Sequence, residues 1–230
     1  MIAGLILSFL TLTFLEIILG IDNVIFMLIS ADRLESYERK RAINLGMFLS
    51  VLIRVGFLFC ISLLIKMQTP IFTVEGFGVS GKDIIMFLGG VFLMYKSTGE
   101  IFAHTESGEV KKEVKKKATF VNVIMEMCVI NIVFSFDSIL TAVGLSRDLP
   151  IMVSAIVVST AVMLFFSSYI GKFLEKHKSL KVLALSFILM IGLFLILDAA
   201  HIDVPKGYIY VAIAFSLFVE VINIKFKHRK

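Results

Sequence analysis

Leu15-Glu16-Ile17-Ile18-Leu19-Gly20-Ile21-Asp22-Asn23 sets two carboxylates and an amide in the middle of about 28 mostly apolar residues, Ala3 to Ser30. About 20 such residues suffice to cross the hydrocarbon of a bilayer. Carboxylates within a span are costly, so they mark a functional site by default. The stretch has an echo in Ile130-Asn131-Ile132-Val133-Phe134-Ser135-Phe136-Asp137-Ser138. There Asn131 stands where Glu16 does, Asp137 where Asp22 does, and Ser138 where Asn23 does. Two oxygen-rich clusters in matching spans predict one shared site.

Composition supports the membrane reading. Hydrophobic residues make up 58% of the chain and mean hydropathy is +0.96. A soluble domain of this length has too little interior for so much apolar surface. Charges fall in short bursts between apolar runs, as loops between spans require. Cys60 and Cys128 both lie in apolar runs and read as small buried hydrophobes rather than a disulfide or metal pair. Met1 is followed at once by a span that carries site residues, so a cleaved signal peptide is not expected.

The apolar runs predict an all-α polytopic membrane protein with seven spans: Ala3–Ser30, Ala42–Ile65, Lys82–Phe102, Ala118–Leu145, Pro150–Leu174, Val182–Ala200 and Tyr208–Ile224. Lys66–Gly81, with Pro70 and three glycines, reads as a loop. Basic residues crowd the segments reached after odd-numbered spans: Arg33 to Arg41, Lys111 to Lys117, Lys172 to Lys181 and Lys225 to Lys230. The opposite side has Lys66, Lys82, Arg147 and Lys206. By the positive-inside rule the basic side is cytoplasmic, with the N-terminus outside and the C-terminus inside. The net charge of +5 is therefore a topology signal, and nucleic acid is not an expected partner.

The echo lies three crossings away, an odd number, so spans 1 and 4 run in opposite directions. This predicts an inverted repeat: residues 1–103 as the first three-helix half, 104–117 as a basic cytoplasmic linker, 118–204 as the second half, and 205–230 as a seventh helix with a basic tail. Inverted repeats bind their substrate near the midplane. The candidate ligands there are Glu16, Asp22, Asn23, Asn131, Asp137 and Ser138. They offer only oxygen, which suits a hard dication and argues against copper or structural zinc. On a straight helix Glu16 and Asn23 share a face, while Asp22 is turned away by about 120°. An unwound turn near Gly20 and Ser135 would bring the aspartates in. The alternative for all these groups is polar packing between helices. Glu126, eleven residues before Asp137, is either a ligand on the cytoplasmic approach or a paired structural acid.

Arg54 in mid-span requires a carboxylate partner, Asp83 or a cluster acid, in a structural or a gating pair. Lys96 is placed to snorkel toward the cytoplasmic surface near Glu100. Glu220 and Asn223 share a face near the inner end of span 7. Asp198, His201 and Asp203 gather at the outer end of span 6 as a polar loop or an exit-mouth site.

LEIILGIDNVIF, RAINLGMFLSVLIR, SGKDIIMFLGGVFLMYKSTGEI, FSFDSILTAVGLS and IYVAIAFSLFVEVINI together resemble the TerC family, named for tellurium resistance. The likeness covers nearly the whole chain, and the paired LG-x-DN and FS-x-DS motifs carry it. It implies a bacterial inner-membrane protein similar to members linked to manganese efflux, and a distant relative of the lysine-exporter group. Carried over by motif, the metal-binding residues are Glu16, Asp22, Asn23, Asp137 and Ser138. Arg54, Asp83, Lys96, Glu220 and Asn223 match positions that recur in the family. Many members have an acid where this chain has Asn131, and Glu126 is the candidate for the missing charge.

The expectation is an exporter of a divalent cation, Mn²⁺ first, working by alternating access and exchanging protons for the ion. Its partners would be the ion and the bilayer, with a homo-oligomer or a contact with secretion machinery left open. Two other classes are weighed. One is a scaffold that hands metal to exported enzymes. The other is an intramembrane enzyme with a shared-proton aspartate pair, for which no water-polarising donor set is evident.

Overall fold

The computed structural model of the 230-residue chain describes residues 2–74, 77–105, 118–146, 148–202 and 204–227. Most of the basic linker (106–117), Arg147 and Asp203 lie outside the described residues, as do the side chains of a few helical positions, Asp137 among them. The elements are α1 (Ile2–Ala31), α2 (Ser36–Phe59), α3 (Ile61–Lys66), β1 (Pro70–Val74), β2 (Phe77–Ser80), α4 (Gly81–Thr105), α5 (Phe120–Leu145), α6 (Leu149–Lys176), α7 (Lys178–Ala199) and α8 (Lys206–Lys227).

Six of these helices are long and apolar enough to cross a membrane: α1, α2, α4, α5, α6 and α7. In α8 the apolar stretch is shorter, Val211–Glu220. The chain is a multi-pass, all-α membrane protein. Helix ends overrun the apolar runs because hydropathy marks the hydrocarbon, not the end of hydrogen bonding. α2, for instance, begins six residues before the expected Ala42, with Glu38 in its first turn beside the positive end of the helix dipole.

Two expectations are corrected. The Lys66–Gly81 loop contains an antiparallel hairpin in which Phe72 pairs with Val79, Thr73 with Gly78 and Val74 with Phe77. β-Branched and aromatic residues on both arms favour the pairing. Cys60 is exposed, at the break between α2 and α3, and so faces the surroundings rather than the interior.

The hairpin hands the chain to α4 through a capping box. Ser80 N donates to Asp83 Oδ2 at 2.8 Å, and Asp83 N donates back to Ser80 Oγ at 3.2 Å. Ser80 Oγ also donates to the same carboxylate oxygen at 2.7 Å. This reciprocal pattern satisfies the orphan donors of a helix start. Ser80→Ala should cost about 1 kcal/mol of stability, read as a lowered thermal midpoint of the purified protein.

The chain divides into two compact units, Met1–Ile85 with Val114–Gly171, and Met86–Glu113 with Lys172–Lys230. In the first, contacts fix helix directions. Glu16 of α1 meets Arg54 of α2, and Met27 of α1 lies against Gly46 of α2, so these helices are antiparallel. Ser50 of α2 bonds Asn131 of α5, and Met127 lies against Gly46, so α2 and α5 are parallel. α1 and α5 therefore run in opposite directions, as the echo predicts. Gly20 faces Met163 and Leu28 faces Gly171, which makes α1 and α6 parallel.

In the second unit α4 and α7 cross backbone to backbone at Gly90 and Gly192. A Cβ on Gly90 would sit 2.5 Å from Gly192 O and 2.8 Å from Ile196 Cγ1. Small residues permit such close crossings in membranes. At Gly20 the obstacle is the flexible end of Met163, 2.5 Å away. Gly90→Ala should therefore destabilise by about 3 kcal/mol and Gly20→Ala by about 1 kcal/mol, compared by thermal unfolding.

Candidate functional site

The polar residues of the first unit form a layer inside the α1–α2–α5 bundle. Glu16 and Arg54 are among its most buried side chains, at 3% and 1% exposure. Arg54 Nη1 donates to Glu16 Oε2 in a buried ion pair. One turn along the same face of α2, Ser50 Oγ donates to Asn131 Oδ1 at 2.9 Å. α2 thus engages the two echo counterparts, Glu16 and Asn131, with two groups spaced by a single turn.

Asn23 lies on α1 between the level of the Glu16–Arg54 pair and that of Met27 and Gly46. Ser50 and Asn131 meet at the corresponding height. Asn23 is 4% exposed, and neither its Nδ2 nor its Oδ1 has a hydrogen-bond partner among the described residues. Ser135 Oγ, one turn from Asn131, is buried and unpartnered in the same sense, as is Arg54 Nε. A buried polar group left unpaired costs about 1–3 kcal/mol. Such groups are rare in folded proteins and point to a bound water or ion.

Apolar layers close both ends. Toward the N-terminus of α1, Leu12, Leu58, Phe136, Ile139 and Ile156 belong to one buried cluster. Toward its C-terminus, Met27 and Met127 pack their sulfurs around Gly46. Beyond the methionines, Arg33 donates to Glu126 in a second ion pair.

The structure sorts the predicted residues. Glu16, Asn23 and Asn131 come together with Arg54 in one bundle. Asp22 is half-buried and has no ion pair or hydrogen bond among the described residues. Ser138 is buried and donates to Ser135 O at 3.4 Å, within its own helix. Asp137 is placed on α5 one residue before it, its side chain outside the described set. Arg54 takes Glu16, not Asp83, and Asp83 serves the capping box. Glu126 is paired with Arg33. Lys96 lies 5.8 Å over the Phe92 ring. Glu220 is half-buried and Asn223 exposed, both on α8 of the second unit. The unwound turns expected near Gly20 and Ser135 are absent: α1 and α5 are continuous helices there, and Gly20 is used for packing against Met163. Asp22 consequently keeps its 120° offset from the Glu16 face. No group of three or more His, Cys, Asp or Glu side chains is poised around a metal position among the described residues. Ser50 was not anticipated, and Ser135 was expected only as the place of an unwound turn. Their signal was spacing: Ser50 lies four residues from Arg54, and Ser135 four from Asn131.

The family model for the integral membrane protein TerC family matches residues 3–230. The chain belongs to the TerC family. A UPF0053 protein of Haemophilus influenzae is 42% identical over 224 residues, covering 96% of this chain and 94% of that protein. The UPF0053 inner membrane protein YgdQ of Escherichia coli K12 is 42% identical, covering 93% of this chain and 90% of its own length. Another TerC relative is the longer UPF0053 inner membrane protein YoaE of the same organism. It is also 42% identical over 93% of this chain, which spans 42% of YoaE. No solved structure matches.

Proposed function

We propose that this TerC protein is an inner-membrane transporter exporting a divalent cation, Mn²⁺ first, through the polar layer of the α1–α2–α5 bundle. The observation that carries the reading is Asn23, a buried amide with both its polar ends unengaged, next to Asp22, a carboxylate without a partner among the described residues. An amide oxygen and a carboxylate are hard ligands for a dication. Glu16, Asn131 and Ser138 offer further oxygens on α1 and α5. The names of the relatives YgdQ and YoaE support the inner-membrane location.

Transport follows from an inverted repeat, α1, α2 and α4 repeated as α5, α6 and α7, with α8 as a seventh span. Three features support this. α1 and α5 are antiparallel. α4 and α7 meet at Gly90 and Gly192, each followed by a similar sequence, Val91-Phe92-Leu93-Met94 and Leu193-Phe194-Leu195-Ile196. The first unit takes the leading helix pair of each half, and the second takes most of α4 with α7. Alternating access then requires the apolar layers at Phe136 and at Met27–Met127 to open in turn, and Asp22 to rotate toward Asn23. The N-terminus lies outside and the basic segments inside.

The test is manganese loading of cells that depend on this protein. Wild type should hold manganese low and survive, while Asn23→Leu should accumulate the metal and fail. Equal manganese content and survival would contradict the proposal.

A further inference from the structure

Hydroxyls on a helix commonly satisfy themselves on a carbonyl of the preceding turn. On α6, Ser154, Ser159 and Ser167 do so, donating to Pro150 O, Ile156 O and Leu164 O at 2.7, 3.0 and 2.7 Å. Thr160 does not: it is 6% exposed, and its Oγ1 has no partner among the described residues. It lies on the buried face of α6, between Ile156 and Met163. Met163 meets α1 at Gly20, and Gly171 meets it at Leu28. Both contacts give the same offset along these parallel helices, so Thr160 stands about level with Ile17, beside Glu16.

Other unengaged polar atoms fall at neighbouring heights. Ser135 of α5 lies two turns beyond Met127, which is level with Met27 and Gly46. That puts Ser135 between Asn23 and Glu16. Arg54 Nε lies beside Glu16, to which Nη1 of the same guanidinium donates, and Thr13 is one turn further toward the N-terminus of α1. Asn23 Nδ2 and Oδ1, Ser135 Oγ, Arg54 Nε and Thr13 Oγ1 all lack a partner among the described residues. From Asn23 to Thr13 is about 15 Å of helix. The groups thus form a column fed by α1, α2, α5 and α6, ending at the buried cluster of Leu12, Leu58 and Ile156. Their chemistry selects the occupant. Arg54 Nε only donates, hydroxyls donate and accept, and the Asn23 amide has a donor end and an acceptor end. Near the ion pair a bare cation is repelled by the guanidinium and an anion by the carboxylate. Water both donates and accepts, and a buried water takes about three such bonds.

We propose that Thr160 and Ser135 hold a file of buried waters that joins the level of Asn23 to the Glu16–Arg54 pair. The water site stands on these orphaned groups, and its use in export rests on the transporter reading above. The file lies on the side of Asn23 toward the N-terminus of α1, the outer side in the orientation proposed above. A dication leaving Asn23 regains part of its hydration shell there, from waters held between helices. α6 enters the path through a hydroxyl that belongs to neither acidic motif.

The experiment is radiolytic labelling of the full-length protein in lipid nanodiscs, read by mass spectrometry, together with Mn²⁺ binding and efflux in reconstituted vesicles. Hydroxyl radicals formed from a bound water oxidise the side chains beside it. Met163, one turn from Thr160 and 7% exposed, is the reporter. Thr160→Val keeps the shape and removes the hydroxyl. It should cut Met163 oxidation about three-fold, since a water there loses one of its roughly three partners. It should also slow Mn²⁺ efflux about five-fold, the effect of one hydrogen bond lost along the path, with Mn²⁺ affinity within about two-fold of wild type. Thr160→Ser should restore both, and Ser159→Ala, whose hydroxyl serves its own helix, should change neither. Ser135→Ala should repeat the pair of effects from α5 and carries the test where Thr160→Val does not fold. Equal Met163 oxidation in wild type and the folded variants overturns the water file. Reduced oxidation with unchanged efflux overturns its place in the path. Failure of wild type to bind or move Mn²⁺ overturns the transporter reading, while Met163 oxidation still decides whether the waters are there.

Discussion

Glu16→Ala should cost about 3–5 kcal/mol of stability, enough to leave little folded protein in the membrane. The substitution strands the Arg54 guanidinium in an interior where it is 1% exposed and where Ser50, one turn away, already serves Asn131. A buried ion pair contributes little net stability, since the attraction between its partners is offset by their desolvation, but removing one partner leaves an uncompensated charge. The double substitution Glu16→Leu/Arg54→Leu should therefore recover most of the loss, to within about 1–2 kcal/mol of wild type. Expression yield and the thermal midpoint in detergent check both, and a stable Glu16→Ala protein would show that the pair is not buried as described. The same cycle separates stability from transport. Under the proposed transport function the double variant should fold and yet fail to move the ion, because the polar layer has lost both Glu16 and Arg54.

The second large effect is expected at Asp22. This carboxylate is half-buried and engages no ion pair or hydrogen bond among the described residues, so no such bond is lost when it is replaced by the isosteric amide. Asp22→Asn should leave the fold within about 0.5 kcal/mol of wild type, the range for substitutions away from packing and polar networks. If Asp22 is the first carboxylate the dication meets, its loss should weaken binding by at least about 100-fold, more than removal of an outer-shell partner typically does. The pairing of intact stability with lost binding distinguishes a ligand from a packing residue. Glu16→Ala has the opposite signature, losing the fold first.

Much of this arrangement was legible in the residues. The length and apolarity of the runs located six of the seven expected spans, since hydropathy over about 20 residues is the strongest signal a membrane protein offers; in α8 the apolar stretch is only Val211–Glu220. The echo of LGIDN in FSFDS predicted that α1 and α5 run in opposite directions, and the contacts at Gly46, Arg54 and Asn131 place them so. That Arg54 must pair with an acid followed from the expense of a lone charge in the bilayer. Which acid it chose did not, because pairing across helices depends on their rotation about their axes, which periodicity leaves free. Asp83 looked equally suitable until Ser80, three residues earlier, claimed it for the helix cap. Ser80-Gly81-Lys82-Asp83 carries the S-x-x-D spacing that announces a capping box, so that outcome was available from the sequence.

Gly20 misled in an instructive way. A glycine between two carboxylates suggested a broken helix that exposes carbonyls to an ion, yet α1 runs straight through it and uses the missing side chain to admit Met163. In a span, glycine serves close packing as readily as unwinding, and only the neighbour decides which. The hairpin between α3 and α4 was missed for a different reason. Pro70, Gly76, Gly78 and Gly81 read as loop punctuation, but Phe72, Thr73, Val74, Phe77 and Val79 alternate around them as strand formers.

The account depends most on the polar layer beside Asn23 being where a dication sits. Anomalous scattering at the manganese absorption edge, from crystals of the full-length protein grown with Mn²⁺, locates that ion directly. The account predicts a peak between α1 and α5 within ligand distance of Asp22 and Asn23. A peak confined to the loops, or bound Mn²⁺ that leaves the Asn23 amide untouched, would contradict it.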